Sequence, residues 1–405
     1  MPAPSSRQRR VVSGMRPTGQ LHLGNYHGAL ANWVELQYRY ECFFFVADWH
    51  ALTTGYEDTA EFRSNTNEVL IDWLAAGLNP SACTMFVQSR IPEHAELHLI
   101  LSMITPISWL ERVPTYKDQI EQLKDKDLST YGFLGYPLLQ SADILMYRPE
   151  YVPVGEDQVA HVEITREVAR RFNNIYGREP DFDAKVAGAI KRLGTRNAAL
   201  YEEQRRKFHE QGDTDALAKA RAMVESAARL TVADRERLLG HLEGGGRAIL
   251  PEPSALLTET PKVPGLDGRK MSKSYGNTIG LREDPASVAR KLKSMQTDPA
   301  RVRRTDPGDP DKCPAWDLHK IYSDEATKDW VQKGCRSAGI GCLDCKKPVT
   351  ETILRQLSTI RERAREYEEN PELLRSIVTE GCERAREAAR ATMSEVREAI
   401  GLEYR

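Results

Sequence analysis

Two short apolar runs restrict the fold of this chain more than any other feature of its sequence. They lie at 42–47 and 84–88 and contain no charged side chain. A strand is apolar along its whole length when helices cover both faces of its sheet, as happens for central strands of parallel sheets. Further strand patterns at 11–15 and 151–154 alternate with helical patterns. The sequence therefore predicts an α/β fold built on a parallel sheet.

The length of 405 residues predicts more than one structural unit. Between 183 and 246 the sequence is rich in Ala, Arg and Glu and has no strand pattern, which we interpret as an inserted helical hairpin. After 285 the pattern is again helical and charged. The predicted organisation is an α/β domain at 11–182 that resumes at 247–284, an insertion at 183–246, and a C-terminal helical domain at 285–405.

The composition argues against several classes of protein. No stretch approaches the roughly 20 uninterrupted apolar residues of a membrane helix, so no membrane span is expected. The first ten residues contain three arginines but no apolar segment of the kind found in signal peptides, which predicts a cytoplasmic location. The formal net charge of −2 is not that of a protein that coats nucleic acid indiscriminately. Any contact with nucleic acid is therefore expected to be local, and no DNA partner is expected.

A glycine-rich segment at 13–26 stands where the first strand leads into the first helix. Such a junction directs unpaired backbone N–H groups at a bound anion, and phosphate is the natural guest. Its glycines allow close approach of the backbone, and the side chains of His22 and Asn25 are able to donate to a phosphate oxygen. Taken alone, the segment is equally typical of an ordinary turn.

A second segment, Lys-Met-Ser-Lys-Ser at 270–274, lies between Gly268 and Gly276. It places two ammonium groups on a short loop that glycine hinges would allow to move. A loop of this kind suits charge that develops only in a transition state. Taken alone, it is also typical of a surface loop.

Together the two segments resemble the paired signatures of class I aminoacyl-tRNA synthetases, His-Ile-Gly-His and Lys-Met-Ser-Lys-Ser. The first signature has Asn25 in place of its last His, and the second matches at every position. Within the class, nearly the whole chain outside the insertion resembles the tryptophanyl-tRNA synthetases. The segments that carry this resemblance lie at 17–26, 48–50, 136–145, 152–158, 161–166 and 171–173.

The resemblance implies a Rossmann-type catalytic domain, a C-terminal anticodon-binding domain and a homodimer. It implies that ATP, with Mg²⁺ bridging its phosphates, activates tryptophan for transfer to tRNA(Trp). Lys270 and Lys273 would stabilise the departing pyrophosphate, while Thr18, His22 and Asn25 would hold the α-phosphate and the adenosine. Other residues that the resemblance places near ATP are Gly14, Arg16, Gly24, Gly155, Asp157, Met271 and Ser272.

The amino-acid pocket requires a partner for indole, which offers one N–H donor and no acceptor. A buried carboxylate is the matched partner, and Asp143 is the candidate because its neighbours are apolar. Gln140 lies about one helical turn before Asp143, and Tyr136 lies about two turns before it. The resemblance adds His50 and Gln158, the latter near the substrate ammonium.

Two alternatives stay open at this point. Many bacterial tryptophanyl enzymes have Met where this chain has Gln140, and Gln occurs there in tyrosyl relatives, so tyrosine is a second candidate substrate. The stretch at 155–158 favours tryptophan. A non-catalytic tRNA-binding paralogue is the other alternative, and the intact His22, Lys270 and Lys273 argue against it.

Four of the seven cysteines gather in the C-terminal region, the last three within eleven residues. An odd number of cysteines in a reduced compartment argues against a disulfide framework. Four thiolates suit a 4Fe–4S cluster or a tetrahedral Zn²⁺. Some tryptophanyl-tRNA synthetases carry a 4Fe–4S cluster with nearly this spacing, which favours iron. The proposed ligands are Cys313, Cys335, Cys342 and Cys345, whereas Cys42 and Cys83 fall in predicted strands and are expected in the core.

Overall fold

The sheet contains five strands in a computed structural model that describes residues 9–114, 116, 128–177, 181–257 and 262–402. The strands are β1 (Arg10–Met15), β2 (Glu41–Val46), β3 (Cys83–Val87), β4 (Tyr151–Val154) and β5 (Ser254–Leu257). Their order in the sheet is β3-β2-β1-β4-β5. The predicted α/β fold with a parallel sheet is confirmed.

Two pairs of strands in the sheet, β2 with β3 and β1 with β4, are parallel. β2 pairs with β3 from Cys42↔Cys83 to Val46↔Val87, and β1 pairs with β4 at Val11↔Tyr151. All five residues of β3 are buried, as predicted for a strand covered on both faces. Both cysteines of the first pair are in the core, also as predicted. β5 was not predicted, because its four half-exposed residues lie within a proline-rich stretch that gives no strand pattern.

The described helices alternate with the strands in the first part of the chain and follow one another in the second. Residues Tyr26–Leu30 form a π-helical turn between the first two helices. The helices before residue 177 are α1 (Leu23–Asn25), α2 (Ala31–Leu36), α3 (Asp48–Gly55), α4 (Phe62–Ala76), α5 (Glu93–Ser102), α6 (Ile107–Glu111), α7 (Tyr131–Leu134), α8 (Tyr136–Met146) and α9 (Val159–Tyr176). Those after it are α10 (Phe182–Arg192), α11 (Thr195–Gln211), α12 (Thr214–Ser226), α13 (Val232–Leu242), α14 (Pro285–Ser294), α15 (Pro314–Tyr322), α16 (Glu325–Arg336), α17 (Cys342–Glu369) and α18 (Pro371–Ile400).

Contacts within the chain divide its described residues into two compact units. The first unit contains those of 14–90 and 257–383, and the second contains those of 9–13, 91–256 and 384–402. The domain boundaries at 182, 246 and 284 stay predictions, because a division by compactness does not identify independently folding domains.

The predicted insertion forms four helices, α10 to α13, where a hairpin has two. Their apolar faces enclose a core of their own that includes Val186, Tyr201, Val224 and Leu238. The Tyr201 hydroxyl donates to the Leu238 carbonyl at 2.7 Å, which satisfies its polar end inside this core. The sequence indicated helices here but not their number, since loops of only two, two and five residues separate them.

Within the first unit, the longest contact between helices is that of α17 with α4. α17 begins at Cys342 and ends at Glu369, with Pro348 tolerated near its start. Near its end, Glu368 contacts Arg282, which also contacts the acidic Glu68 and Asp72 of α4. Within the described part of the chain, every helix is too short or too polar to cross a membrane.

Candidate active site

The glycine-rich turn is held by a reciprocal cap at His22 and Asn25. The Asn25 backbone N–H donates to His22 Nδ1 at 3.3 Å, and the His22 N–H donates to Asn25 Oδ1 at 3.1 Å. Because Nδ1 accepts, a neutral His22 ring carries its proton on Nε2. A Cβ atom on Gly24 would meet the His22 ring at 2.9 Å, and one on Gly14 would meet the Phe45 ring at 2.5 Å, so both positions require glycine.

The charge state of His22 follows from its surroundings. Its side chain is buried, and this burial, followed by the positive charge of Lys273, lowers the pKa of His22 from 6.5 to about 4. At neutral pH the ring is therefore uncharged, and its Nε2–H is a hydrogen-bond donor suited to a phosphate oxygen.

We call the segment 270–274 the lysine loop. The residues that follow it, at 279–281, form antiparallel backbone pairing with the glycine-rich turn. Leu23 N–H donates to the Ile279 carbonyl at 3.0 Å, and Leu281 N–H donates to the Leu21 carbonyl at 2.9 Å. The ammonium of Lys273 contacts the Thr18 carbonyl. The structure thus brings the two sequence signatures together, although some 250 residues separate them.

Inside the loop, a buried amide fixes the backbone while both lysines stay exposed. The Ser272 N–H donates to Asn277 Oδ1 at 2.8 Å, and Asn277 Nδ2 donates to the Lys270 carbonyl at 3.2 Å. Met271 is buried and anchors the loop. Gly276 has a φ of 61°, a conformation that favours glycine. The loop therefore presents two ammonium groups from a fixed base.

A buried carboxylate supports both segments. Asp72 on α4 accepts from the Leu21 N–H and from Arg282 Nε, each at 2.6 Å, and Arg282 also contacts Glu68 and Glu368. Burial raises the pKa of Asp72 to about 6, against the opposing charge of Arg282. Although part of the Lys273 side chain is exposed, partial burial lowers the pKa of its ammonium, and the carboxylates of Asp72 and Glu68 act in the opposite direction.

Sequence analysis missed this group of charges. Asp72 lies in the fully buried run Val69–Ala76, and an acid inside such a run is a signal that could have found it. Its cationic partner lies 210 residues away along the chain, which no local pattern reveals.

Two further predicted residues of the first unit lie on or near α3. The Arg16 guanidinium donates to the His50 carbonyl at 2.6 Å and to Thr54 Oγ1 at 2.9 Å. His50 is itself buried. Arg16 thus fixes the start of the glycine-rich turn against α3.

Four of the five residues predicted for the amino-acid pocket, Tyr136, Gln140, Asp143 and Gln158, lie in the second unit, whereas His50 lies in the first. Asp143 on α8 is buried and hydrogen-bonded to His94 on α5. The Gln158 Oε1 atom lies 2.8 Å from His161 Nδ1, and the Tyr136 hydroxyl lies 3.4 Å from His161 Nε2. His161 therefore joins two predicted residues, and sequence analysis missed both histidines as site residues.

The other predicted positions of this unit are less informative. Gln140 is half-buried on α8. Gly155 precedes the short 3₁₀ turn Glu156–Gln158. The side chain of Asp157 lies outside the part of the chain that the structure describes.

The four clustered cysteines lie in the first unit around the start of α17. Cys313 precedes α15, Cys335 lies on α16, and Cys342 and Cys345 lie in the first turn of α17. Burial, then the charges of the other three cysteines, raise the pKa of Cys345 to about 12, so the four thiols lie close enough to affect one another. Within the described ranges, however, no three His, Cys, Asp or Glu side chains are grouped to hold a metal ion.

Two buried cations accompany these thiols. Arg301 is 9% exposed, with Nη1 3.8 Å from Cys335 Sγ, and Lys346 is 6% exposed and donates to the carbonyls of Lys293 and Met295. Among the described residues no carboxylate lies within ion-pair distance of either side chain, although the charge of Arg301 acts on the buried carboxylate of Asp298. Buried charges are normally paired, and among the described residues Lys346 meets backbone carbonyls rather than a carboxylate.

Comparison with known proteins gives a consistent family. The family described as tRNA synthetases class I (W and Y) matches residues 5–187 and 224–358 of this chain. Tryptophan--tRNA ligase of Ralstonia nicotianae is 64% identical and covers 98% of this chain and 99% of its own. The Thermotoga maritima tryptophan--tRNA ligase is 44% identical, with 98% and 100% covered. Tryptophanyl-tRNA synthetase from Campylobacter jejuni, solved with ADP and tryptophan, has a TM-score of 0.73 at 29% identity, covering 97% of this chain and 100% of its own.

The lowered pKa of His22 is directly testable. Its C2 proton, assigned with a His22→Gln variant, should titrate near pH 4 in the folded protein rather than near 6.5. Because the folded pKa lies below the unfolded one, the stability that His22 contributes is present above pH 6.5 and lost as the pH falls toward 4. Lys273→Met should raise the pKa of His22 only part of the way back toward 6.5, since burial is the larger cause of the lowered value. Lys270→Met is the matched control and should leave it unchanged, and a midpoint near 6.5 in the unaltered protein would contradict the assignment.

Proposed function

Because this chain belongs to the tryptophanyl-tRNA synthetases of class I, we propose that its glycine-rich turn and lysine loop activate tryptophan with ATP. The activity is that of a tryptophan--tRNA ligase, which transfers the activated amino acid to tRNA(Trp). The observation that carries the assignment of these segments is the backbone pairing that sets Lys273 against Thr18, beside His22.

The reaction requires no protein nucleophile. The tryptophan carboxylate attacks the α-phosphorus of ATP, the bond to the bridging oxygen breaks, and pyrophosphate leaves with the electron pair. Catalysis then consists of positioning and of stabilising charge that develops on the phosphate oxygens. The Nε2–H of neutral His22 and the side chain of Asn25 donate to the α-phosphate. Lys270 and Lys273 compensate the charge on the departing pyrophosphate, and Mg²⁺ bound to the phosphates supplies further positive charge.

Several further residues belong to the ATP site that we propose. Gly24 and Gly14 leave space at the turn, where a Cβ atom would meet another side chain. We include Thr18, Arg16, Gly155, Asp157, Met271 and Ser272 in the ATP site, as the family resemblance implies. Arg16 acts through α3 rather than as a free cation, since its guanidinium donates to the His50 carbonyl.

For the amino acid, we propose that Asp143 accepts the indole N–H. A buried carboxylate with apolar neighbours is the chemical match for a single donor. We also assign Tyr136, Gln140, Gln158 and His50 to tryptophan binding, as the family resemblance implies, and His161 forms hydrogen bonds with Tyr136 and Gln158. Tyrosine and a non-catalytic role, the two alternatives, are not supported by the names of the relatives or by the intact turn and loop. ATP–pyrophosphate exchange with each of the twenty amino acids tests the substrate.

Lys273→Ala is expected to slow adenylate formation by about two to three orders of magnitude, because it removes one donor of transition-state charge. Tryptophan binding should change little. Pre-steady-state kinetics separate these two effects. Lys320→Ala is a matched control, since Lys320 is exposed and, among the described residues, forms an ion pair with Asp317 one helical turn away. A loss confined to substrate affinity would show that the assigned role is wrong.

We further propose that Cys313, Cys335, Cys342 and Cys345 hold a 4Fe–4S cluster, with Zn²⁺ as the alternative. Four thiolates around either metal centre give a net charge of about −2. That charge matches the two buried cations, Arg301 and Lys346, which lie beside these thiols without a carboxylate in ion-pair contact. The donor set therefore fits, although the described side chains are not gathered around a common point. We assign the region at 285–405, which contains them, to anticodon binding.

Metal analysis decides the ligand question. Protein purified without oxygen should be brown and contain about four irons per chain, whereas a zinc protein would be colourless. Cys342→Ser should lower the iron content and weaken the apparent affinity for tRNA while sparing adenylate formation. Cys382→Ser is the control, because Cys382 is buried and is not one of the four proposed ligands. This variant should keep the iron content of the unaltered protein. Less than one metal per chain, with four titratable thiols in the folded state, would rule the cluster out.

We also propose a homodimer. On α5, α6 and the link between them, Leu99, Met103 and Ile107 expose apolar side chains to 57%, 72% and 62%. Exposed apolar patches of this kind mark protein interfaces. Met103→Glu should shift the sedimentation equilibrium toward monomer, because a buried unpaired carboxylate is costly at an interface. Val302→Glu is the control, since Val302 is 85% exposed outside this patch, and a dimer equally stable in both variants would place the interface elsewhere.

A further inference from the structure

Three polar side chains form a fully buried chain between α5 and α8 in the second unit. His94 Nδ1 lies 2.6 Å from Asp143 Oδ1, and His94 Nε2 lies 2.7 Å from the Tyr147 hydroxyl. His94, Asp143 and Tyr147 are each 0% exposed. Polar groups without access to water persist when they satisfy one another, so this arrangement constrains the conformation of all three.

The direction of the hydrogen bonds follows from the donors that are present. An ionised Asp143 accepts only, so the short contact requires the proton of His94 on Nδ1. The Nε2 atom of a neutral ring then accepts from the Tyr147 O–H. Tyr147 thus donates to His94, and His94 donates to Asp143. Asp143 is held as an acceptor.

The backbone on both sides of this chain is fixed. His94 lies in the first turn of α5, which begins at Glu93 directly after Pro92. α5 packs along α8. Tyr147 follows the last residue of α8, and its carbonyl accepts from Arg10 Nη1 at 3.1 Å. Side chains on packed helices are held more precisely than side chains on loops. His94 is therefore placed to set the orientation of Asp143.

We propose that His94 is a positioning residue that determines specificity for the indole N–H by holding Asp143 as an oriented acceptor, while Tyr147 fixes the tautomer of His94. The inference rests on the proposed role of Asp143 as the indole partner. A site whose buried acceptor must be satisfied rejects analogues that lack the donor, because binding them leaves the acceptor unpaired. Loss of the hydrogen bond from His94 would free the carboxylate to turn and weaken this rejection.

Two variants of His94 separate positioning from packing. Asparagine places its amide nitrogen where Nδ1 stands and keeps a donor for Asp143. Glutamine places its amide nitrogen where Nε2 stands, so it reaches Tyr147 but not Asp143. The substrates compared are tryptophan and its benzothienyl analogue, in which sulfur replaces the indole N–H.

The readout is the ratio of kcat/KM for tryptophan to that for the analogue in ATP–pyrophosphate exchange. Within each variant this ratio does not depend on the fraction of protein that is folded. His94→Gln should reduce the ratio about tenfold, mainly through the KM for tryptophan, with the KM for ATP unchanged. His94→Asn should keep most of the discrimination.

The outcomes distinguish the two proposals. If His94→Gln lowers kcat/KM equally for both substrates while the unaltered enzyme still prefers tryptophan, His94 is structural only and this inference is overturned, although the role of Asp143 stands. If the unaltered enzyme does not discriminate against the analogue, the role of Asp143 fails and this inference fails with it. Equal loss of discrimination in both variants would also overturn it, because the Nδ1 donor would then be irrelevant.

Discussion

The position of the glycine-rich turn depends on the hydrogen bond between the Leu21 N–H and the buried carboxylate of Asp72. A buried carboxylate is costly unless it is paired, and Arg282 is the cation that pairs with it. Since Arg282 follows the lysine loop along the chain, the same carboxylate fixes one residue before His22 and one segment beyond Lys273. Removing either partner would leave a buried charge uncompensated and disturb both halves of the site.

The charges around Arg282 exceed what one guanidinium neutralises. Asp72, Glu68 and Glu368 all contact it, which leaves a surplus of negative charge in the same unit as Lys273. The ammonium of Lys273 meets a backbone carbonyl in this arrangement, without a carboxylate in ion-pair contact. A bound triphosphate would offer it a much stronger partner, so the lysine is held near the reaction without being neutralised.

Local patterns predicted the parts of the structure that depend on local sequence. The strands β2 and β3 are continuous apolar runs, and the two signatures lie on contiguous residues, so both were found. Partners distant along the chain were not found. Asp143 was predicted but His94, 49 residues away, was not, and neither Asp72 nor Arg282, which are 210 residues apart, was predicted. Such pairs form only when the chain folds, and neither periodicity nor composition records them. β5 was missed for a different reason, since it lies in a proline-rich stretch that gives no strand pattern.

Buried charges mark each chemically active region that we assign. Asp72 is compensated by Arg282, and Asp143 is compensated by a hydrogen bond from His94. Arg301 and Lys346 differ, because within the described chain they meet carbonyl oxygens and a thiol but no carboxylate at ion-pair distance. Retaining two cations in the interior is unfavourable unless an anion completes the set. The carboxylate of Asp298 acts on Arg301, and the four cysteines are further acidic groups near the two cations, which become anions most readily when a metal binds them as thiolates.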